Sequence, residues 1–540
     1  MNFVVFPHTL GTLSPNAGRT TKCFLVEERN VIMKTYLGIE FGSTRIKSVQ
    51  IDQSFKTVSK GAFNWESRLE NGIWTYDISE ALKGLKTVLS AVKEPENIAC
   101  AGVSGMMHGY LAFDEEWNLL VPFRTWQNTV TAEAAEKLTA LFNFNIPQRW
   151  SVAHLYRAIL NGEPHVKNIR HVTTLAGYIH YLLTGENVIG AGEASGMFPI
   201  DEKTMDYDAE MVAKFDTVLA ANGLSVKTKE VFPRVLSAGE EAGRVTESGS
   251  ALTEGALPVG LKLAPPEGDA GTGMVATNAV LKRTGNVSAG TSIFAMFVLE
   301  KPLSRVYPEI DMVTTPDGAP VAMVHCNNCT GDMNAWIKLL GESAELFGAS
   351  FSTEELYEKL YRISLLGQTD CAGITVYNYL AGEGITHFDE GRAMVVRDAN
   401  AELSLASFMR AQIYSAMATV RLGMKLLDGE NVEVDKVVGH GGLFKTDGVG
   451  QKYMAASLGT PVVCTENSGE GGPYGMALLA AYADCKTYGE RLGDFLNERV
   501  FKNEKSITVM PAKEDIEGFD KYVTRFENGL SVVRKATENM

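Results

Sequence analysis

Two segments that lie far apart in the chain share one pattern: an apolar run, a turn of small hydroxyl-bearing residues, and a second apolar run. The first is GIEFGSTRIKSVQID, which begins at Gly38, and the second is NVSAGTSIFAMFVLE, which begins at Asn286. Each pattern is typical of a β-hairpin. Its repetition indicates two similarly built halves, each of which contributes a hairpin to one ligand. This repeat favours a fold with two related units.

The rest of the sequence alternates between strand-like and helix-like segments. In the first part we expect strands near Thr57–Trp65 and Ile98–Val103, with an amphipathic helix that starts after Asp77. The later predicted elements are helices near Met333–Leu340 and from Leu405 to Leu427, a strand at Lys436–Val438, a helix near Val449–Leu458, a strand at Pro461–Thr465, and a helix from Tyr474 to about Ala483. This alternation predicts an α/β fold. Because no long linker separates the halves, we expect them to meet in a cleft.

The composition excludes several classes of function. The 540-residue chain has a formal net charge of −15 and a pI near 5.2, and it lacks the basic face that a nucleic-acid-binding protein needs. No apolar run approaches the roughly 20 residues of a membrane span, and no signal peptide is evident. We therefore expect a cytoplasmic protein that binds neither nucleic acid nor membrane. An acidic chain can still bind a polyphosphate through local amides, a lysine and a cation.

Residues 1–32 lack any hydrophobic period, whereas the sequence MKTYLGIEFG from Met33 reads like a natural start followed by a strand. The preceding Glu27-Glu28-Arg29 would be encoded by purine-rich codons, as a translated ribosome-binding site would be. We expect residues 1–32 to be a disordered or artefactual extension.

The turns of the two hairpins are candidates for phosphate binding. Small residues let backbone N–H groups converge on one anion, and hydroxyls add further donors. The first turn has Gly42, Ser43 and Thr44, with Lys47 on the returning strand, and the second has Gly290, Thr291 and Ser292. Any tight hairpin favours Gly and Ser, so one turn alone has a purely structural explanation. Two such turns that face each other would form a polyphosphate clamp.

Two glycine-rich segments precede predicted helices: Val438–Leu443, which contains Gly441 and Gly442, and Gly469–Gly475. Glycines at such positions let a flat ligand or a phosphate approach the backbone. The alternative is that they only permit positive φ angles in loops. Neither segment is a Walker loop or a dinucleotide-binding fingerprint.

Asp269 lies among small residues after the apolar segment Val259–Ala264, where its carboxylate could accept a proton from a substrate hydroxyl. The structural alternative is that Asp269 caps a helix over Met274–Leu281. We expect Asp269→Asn to abolish turnover with little change in stability. His108 follows a buried strand in Ser104-Gly105-Met106-Met107-His108-Gly109, where α/β sheets bind ligands, although a structural histidine is the simpler interpretation.

The pair Cys326 and Cys329 has the spacing of a zinc or redox site. No second pair of ligands at suitable spacing accompanies it, so two reduced thiols on a buried turn are the better explanation. The other cysteines also read as reduced core thiols.

Taken in order, these segments resemble the FGGY carbohydrate kinases, which belong to the actin/hexokinase/Hsp70 ATPase superfamily, and most of all the xylulokinase branch. The resemblance runs from about Met33 to about Ala483. The matching segments are the Glu40–Thr44 hairpin with Lys47, Ser104–Gly109 as the sugar-contacting motif, Trp126-Gln127-Asn128-Thr129 as a W-N-D-x-R-like segment, Asp269 as the catalytic aspartate, Gly290-Thr291-Ser292 as the second phosphate motif, Gly439–Thr446 as the adenosine motif, and Gly382–His387 as the segment before the last large helices.

The resemblance implies two ribonuclease-H-like domains, residues 33–282 and 283–531, which flank a catalytic cleft and leave a tail at 532–540. It implies ATP as co-substrate, Mg²⁺ near Glu40 and Asp269, a small sugar as the other substrate, and a chain that can form a homodimer. Sugar contacts fall on Met107, His108, Trp126, Gln127 and Asp269. ATP contacts fall on Gly42, Ser43, Thr44, Lys47, Gly290, Thr291, Ser292, Gly441, Gly442 and Thr446.

Two departures from the family pattern bear on function. Glu40 replaces the usual Asp, which lengthens the reach toward magnesium by one methylene, and Gln127-Asn128 replaces Asn-Asp without the following Arg. The expected activity is transfer of the γ-phosphoryl group of ATP to a ketose, a pentulose such as xylulose. The alternatives are a kinase of this family for ribulose, fuculose, rhamnulose, gluconate or glycerol, a kinase-like sugar-binding protein without catalysis, and an actin- or Hsp70-like ATPase that acts on a protein.

Overall fold

The computed structural model describes residues 34–465 and 471–540. The expected extension at residues 1–32 lies outside the described residues, as do Gly469 and Glu470 of the second glycine-rich segment.

The first part of the chain is a mixture of strands and helices. Its strands are β1 (Thr35–Phe41), β2 (Arg45–Asp52), β3 (Thr57–Asn64), β4 (Arg68–Glu70), β5 (Ile73–Thr75), β6 (Ile98–Gly105), β7 (Leu111–Phe113), β8 (His171–Thr173), β9 (Val188–Gly190), β10 (Ile200–Asp201), β11 (Asp206–Tyr207), β12 (Arg234–Leu236), β13 (Lys262–Leu263) and β14 (Glu267–Gly268). Its helices are α1 (Ile78–Leu89), α2 (Ala132–Phe142), α3 (Ser151–Leu160), α4 (Leu175–Thr184), α5 (Ala191–Ala194), α6 (Ala209–Ala221), α7 (Thr228–Val231), α8 (Glu247–Leu252) and α9 (Asp269–Ala276).

The second part of the chain is also a mixture of strands and helices. Its strands are β15 (Thr284–Ala289), β16 (Ile293–Val298), β17 (Ile310–Thr314), β18 (Pro320–Cys326), β19 (Ile374–Tyr377), β20 (Met394–Arg397), β21 (Lys436–His440), β22 (Val462–Thr465) and β23 (Ser506–Val509). Its helices are α10 (Gly331–Leu346), α11 (Thr353–Ser364), α12 (Leu405–Leu427), α13 (Val449–Leu458), α14 (Gly472–Cys485), α15 (Leu492–Phe495) and α16 (Lys513–Asn539).

Two large sheets share one central arrangement. In the first sheet the strand order is β13-β6-β1-β2-β3, and β14 also pairs with β6. In the second the order is β17-β18-β16-β15-β21-β22-β23. In each sheet a hairpin (β1 with β2, β15 with β16) is antiparallel, and its first strand pairs in parallel with a later strand, β6 or β21. The prediction of two similarly built α/β halves is therefore confirmed.

The two parts of the chain pack closely on each other. Helix α14 lies against β1 and β6, and this contact requires glycine on the sheet: a Cβ on Gly38 would lie 2.0 Å from the Pro473 carbonyl oxygen. The first hairpin and α14 thus share one core. Because a helix from the second part packs on the first sheet, the domain boundary at residue 283 stays a prediction.

Most predicted elements of the second part are confirmed, with α12 and α13 matching the predicted bounds at both ends. One prediction is wrong. The helix expected over Met274–Leu281 instead runs from Asp269 to Ala276, because β14 ends at Gly268 and the chain turns directly into the helix.

Helix α16 extends through most of the predicted tail at 532–540, and its Val533 is buried. Neither α16 nor any other helix of the described residues is apolar enough over sufficient length to cross a membrane.

Candidate active site

Asp269 lies at the junction where β14 ends and α9 begins. Strand β14 runs parallel to β6, so Asp269 and the Met107 loop after β6 lie at the same edge of the first sheet. The Met107 backbone N–H donates a hydrogen bond to Asp269 Oδ1 at 3.0 Å. Gly268 occupies the N-cap position, so Asp269 is the first residue of the helix and not its capping side chain. This geometry holds the carboxylate at a strand end, where ligands bind.

Burial raises the pKa of Asp269 to about 6, and the negative charge of Glu40 adds to the rise. The hydrogen bond from Met107 acts in the opposite direction, because it stabilises the ionised form. A carboxylate with this pKa is largely ionised at neutral pH yet accepts a proton more readily than an ordinary aspartate. Asp269 therefore has the protonation properties of a general base.

Glu40 and Lys47 form a cross-strand pair in the first hairpin. Their Cα atoms are direct partners in the antiparallel register, and Lys47 Nζ lies 2.8 Å from Glu40 Oε2. Glu40 is buried, whereas the Lys47 side chain is 38% exposed. The lysine that was predicted to bind phosphate is thus already held in place by a neighbouring carboxylate.

One cavity of about 420 Å³ contains a large share of the predicted residues. Those that line it are Glu40, Ser43, Lys47, Met107, His108, Trp126, Asp269 and Ser292. Both hairpins therefore supply a serine to the same cavity, while their contact with one ligand stays a prediction. Gly42, Thr44, Gly290 and Thr291 are not among the lining residues and lie in the adjoining turns, where the Gly42 N–H donates to the Arg45 carbonyl at 3.0 Å.

A second cavity, of about 700 Å³, is lined by Gly441 and Gly442 of the first glycine-rich segment. It shares His440 and Gly471 with the first cavity, so the two spaces adjoin. Gly441 has a φ of +98°, and a Cβ there would lie 2.4 Å from the Ala289 carbonyl oxygen. The backbone at Gly441 therefore requires glycine, as the structural explanation holds, while binding of a ligand at this cavity stays a prediction. Thr446 lies in the turn that leads into α13.

The His108 side chain combines structural support with access to the cavity. Its backbone is left-handed, with a φ of +72°, and its Nδ1 lies 3.2 Å from the Gly196 carbonyl oxygen. The imidazole stacks on Trp150, with ring centroids 6.4 Å apart. Burial lowers the pKa of His108 well below its usual value, and the Arg149 charge adds to this effect. The neutral ring is therefore fixed in place while it lines the cavity.

In the Trp126–Thr129 segment, some side chains line cavities and one binds the neighbouring backbone. Trp126 lines the 420 Å³ cavity, and both Trp126 and Gln127 line an adjoining cavity of about 960 Å³. The Asn128 side chain is buried and binds the backbone of Trp74, accepting from its N–H at 2.8 Å and donating to its carbonyl at 2.9 Å. Asn128, where the sequence departs from the family pattern, thus stabilises the local backbone conformation.

Two buried acids lie behind Asp269. Glu267 accepts backbone hydrogen bonds from Gly192 and Glu193 at 3.3 and 2.9 Å, and burial raises its pKa to about 8. Burial also raises the pKa of Glu193 well above its usual value, to which the charges of Asp269 and Glu267 contribute. Burial thus disfavours the ionised form of both carboxyl groups, which limits the negative charge around the candidate base.

Several residues of the cavity were not predicted. They include Arg149, Asn286, Ser288, Phe294, Met296, Met323 and His325. Part of this set could have been predicted from the sequence. Residues 286 and 288 of β15, and residues 294 and 296 of β16, are two positions apart, and alternate side chains of a strand lie on the same face of the sheet. Arg149 has no comparable signal.

The thiols of Cys326 and Cys329 are both buried, and burial raises the pKa of Cys329 to about 12. The pKa of Cys326 is raised for the same reason. Zinc binding and redox chemistry both require the thiolate, so this environment favours the structural explanation.

Comparison with known proteins decides the family. The FGGY family of carbohydrate kinases matches the chain twice, with its N-terminal domain at residues 35–261 and its C-terminal domain at residues 285–483. The chain belongs to this family. It is therefore a carbohydrate kinase, a phosphotransferase with an alcohol group as acceptor, and kinases of this family use ATP as co-substrate.

Individual relatives of this FGGY kinase are distant. The chain is 22% identical to xylulose kinase of Haemophilus influenzae over 517 residues, which cover 92% of this chain and 99% of the relative. Its structure resembles xylulose kinase from Rhodospirillum rubrum, with a TM-score of 0.75, 18% identity, and coverage of 94% and 100%. Gluconate kinase from Lactobacillus acidophilus has the same TM-score at 15% identity, with coverage of 93% and 98%. These structures share the two-domain fold, which does not distinguish a ketose from a sugar acid as substrate.

Proposed function

We propose that this FGGY kinase phosphorylates a neutral ketose, a pentulose such as xylulose, with Asp269 as the general base. The observation that carries the proposal is the position of Asp269. Asp269 lines one cavity together with His108 and the Glu40–Lys47 pair. A sugar hydroxyl and a terminal phosphate can therefore meet beside a group whose pKa, near 6, suits proton acceptance.

In the proposed reaction, an Asp269 carboxylate oxygen accepts the proton of the attacking hydroxyl. The sugar oxygen forms a bond to the γ-phosphorus, the bond from that phosphorus to the β–γ bridging oxygen breaks, and ADP leaves. Such transfers depend mainly on positioning and on neutralisation of charge. Met107 fixes the base through its backbone N–H, and the neutral His108 imidazole can exchange hydrogen bonds with sugar hydroxyls.

The phosphate contacts follow from the two hairpins. The hydroxyls of Ser43 and Ser292 line the cavity from opposite sheets and can donate to phosphate oxygens. Lys47 adds a positive charge that Glu40 keeps in position. The Gly441–Gly442 backbone, in the adjoining cavity, would carry the adenosine end of ATP.

The carboxylates of Glu40 and Asp269 fit a magnesium ion, because Mg²⁺ in kinases is held by one or two carboxylates together with substrate phosphates. When bound, the ion would neutralise negative charge on the phosphates. Glu40 is buried and anchored by Lys47, so it can hold a cation or a water on that cation in a defined place.

A coupled ADP-release screen over pentuloses, hexuloses, polyols and sugar acids tests the proposal. We expect ADP release to be stimulated most by a neutral ketose. Stimulation by a polyol or a sugar acid in preference to every ketose would refute the substrate assignment, and absence of stimulation by any sugar would refute the catalytic one.

A further inference from the structure

An ion pair joins the two parts of the chain beside the cavity that would hold the sugar. Arg149, just before α3, donates from Nη2 to Asp311 Oδ2 on β17. Both side chains are largely buried, with exposures of 19% and 11%. Asn145 reinforces the contact, since its Nδ2 donates to the Ile310 carbonyl at 2.9 Å and lies 3.4 Å from Asp311 Oδ1. The pair is thus built into the fold.

Arg149 faces the place where a sugar would lie. Together with Trp126 and His325, it lines both the 420 Å³ cavity and the adjoining 960 Å³ cavity. Its backbone carbonyl accepts a hydrogen bond from the Gly109 N–H at 3.3 Å, which couples its position to the His108 turn. Among the described residues, Nη2 is the one guanidinium nitrogen of Arg149 with a protein partner, so Nε and Nη1 remain for a ligand.

The charges of Arg149 and Asp311 balance each other. Burial lowers the pKa of Arg149 to about 10, which leaves it positive at neutral pH, and Asp311 balances that charge. Burial lowers the pKa of His325 to about 3, and that of His108 also falls well below neutral. Both imidazoles are therefore neutral. The remaining neighbours in the cavity include the apolar side chains Met107, Phe294 and Met323.

We propose that the Arg149–Asp311 pair is a specificity determinant that admits the uncharged, hydroxylated end of a sugar and rejects a sugar acid. The free guanidinium nitrogens of Arg149 donate to hydroxyl oxygens of the sugar. Asp311 repels the carboxylate of a sugar acid and balances the positive charge of Arg149, which would otherwise attract that carboxylate. This inference rests on the proposed function, because it assumes that the sugar occupies this cavity.

The decisive variant is Asp311→Asn. It keeps the shape of the side chain but leaves the positive charge of Arg149 without a balancing negative charge. D-Xylulose serves as the neutral substrate, and D-xylonate and D-gluconate serve as acids. We expect the acid-to-ketose ratio of kcat/KM to rise about tenfold or more, because relief of a close like-charge contact amounts to a few kcal/mol and each 1.4 kcal/mol is tenfold. Calorimetry should show D-gluconate binding to Asp311→Asn at concentrations at which the wild type binds none.

Two further variants isolate the charge. The double variant Arg149→Gln/Asp311→Asn is neutral again, so the gain for acids should disappear. Glu309→Gln removes a carboxylate that lines the outer cavity but pairs with His387 at 3.2 Å, and it should leave the ratio unchanged. Melting curves establish that each variant is folded. If Asp311→Asn does not fold, Asp311→Ser carries the same test, because serine also removes the charge.

The inference is overturned if the wild type binds gluconate as tightly as xylulose, if the ratio does not change in Asp311→Asn, or if the gain persists in the double variant. A gain of equal size in Glu309→Gln would also overturn it. If the wild type phosphorylates no sugar at all, the proposed function fails, while the calorimetric comparison of gluconate binding still decides the role of the ion pair.

Discussion

Replacement of Asp269 by Asn separates the catalytic role of this side chain from its structural one. The amide oxygen of Asn can still accept the Met107 N–H, so the turn between β14 and α9 keeps its main contact. The amide cannot take a proton. Loss of a general base typically costs about 10²–10⁴ in rate, which corresponds to about 3–5 kcal/mol of barrier at 1.36 kcal/mol per tenfold. We therefore expect kcat to fall by that factor.

The same substitution should stabilise the fold. Burial raises the pKa of Asp269 from 3.8 to about 6. In that range the unfolded chain has released a proton that the native state still holds, so the free energy of unfolding decreases as pH rises from about 4 to 6. A rise of this size means that the ionised carboxylate destabilises the native state by up to about 3 kcal/mol at pH 7. Because the side chain is partly open to the cleft, screening reduces the expected gain to about 1–2 kcal/mol.

This prediction replaces the sequence-based expectation that stability would hardly change, because the sequence did not reveal that burial raises the pKa of Asp269. ADP release measures the first effect, and denaturant unfolding at pH 7 and pH 4 measures the second, which should vanish at the lower pH. Asp317→Asn is the matched control. Burial raises its pKa too, and it accepts from the Thr315 hydroxyl at 2.6 Å, but it is not among the residues that line the catalytic cavity.

Near-normal kcat in Asp269→Asn would refute the assignment of the base. A loss of stability at pH 7 would refute the reasoning about the buried charge. A comparable loss of kcat in Asp317→Asn would mean that a general disturbance of this region explains the result.

Three other measurements address the rest of the site. Since protonation of Asp269 removes the base, kcat/KM should fall about tenfold per pH unit below pH 6, and a profile that stays flat to pH 5 would contradict this role. Lys47→Ala should raise the KM for ATP by roughly tenfold to a hundredfold, which is the range expected when a charged hydrogen bond is lost. Calorimetry should show that sugar binding is unchanged. If the kinetics at limiting ATP are unaltered, Lys47 does not contact the phosphates. His108→Ala should raise the sugar KM by a few-fold to about tenfold and spare nucleotide affinity, and if both constants change together, His108 has a structural role.

The fold could be predicted largely because its signals are local. The spacing of apolar residues predicted both ends of α12 and α13, and the turns of small residues predicted both hairpins. The error at α9 has a physical cause. Asp269 is followed by Ala270, Gly271, Thr272 and Gly273, and glycine has a low helix propensity, so the sequence favours a later start. Packing decides otherwise, because Gly475 of α14 approaches so closely that a Cβ there would lie 1.9 Å from the Thr272 carbonyl oxygen.

The site could be predicted only where its residues belong to one sheet edge or one hairpin. Glu40 and Lys47 are seven positions apart and lie opposite each other in a two-stranded register, so the sequence brings them together almost by itself. Arg149 and Asp311 are 162 positions apart, and they meet only because β17 of the second sheet packs beside the loop before α3. No local pattern encodes that contact. In the proposed site, the reacting end of the substrate is thus specified by short-range geometry, whereas recognition of its other end depends on how the two parts of the chain pack together. If the proposal is right, substrate preference can change through residues such as Asp311 while the two hairpins and Asp269 stay the same.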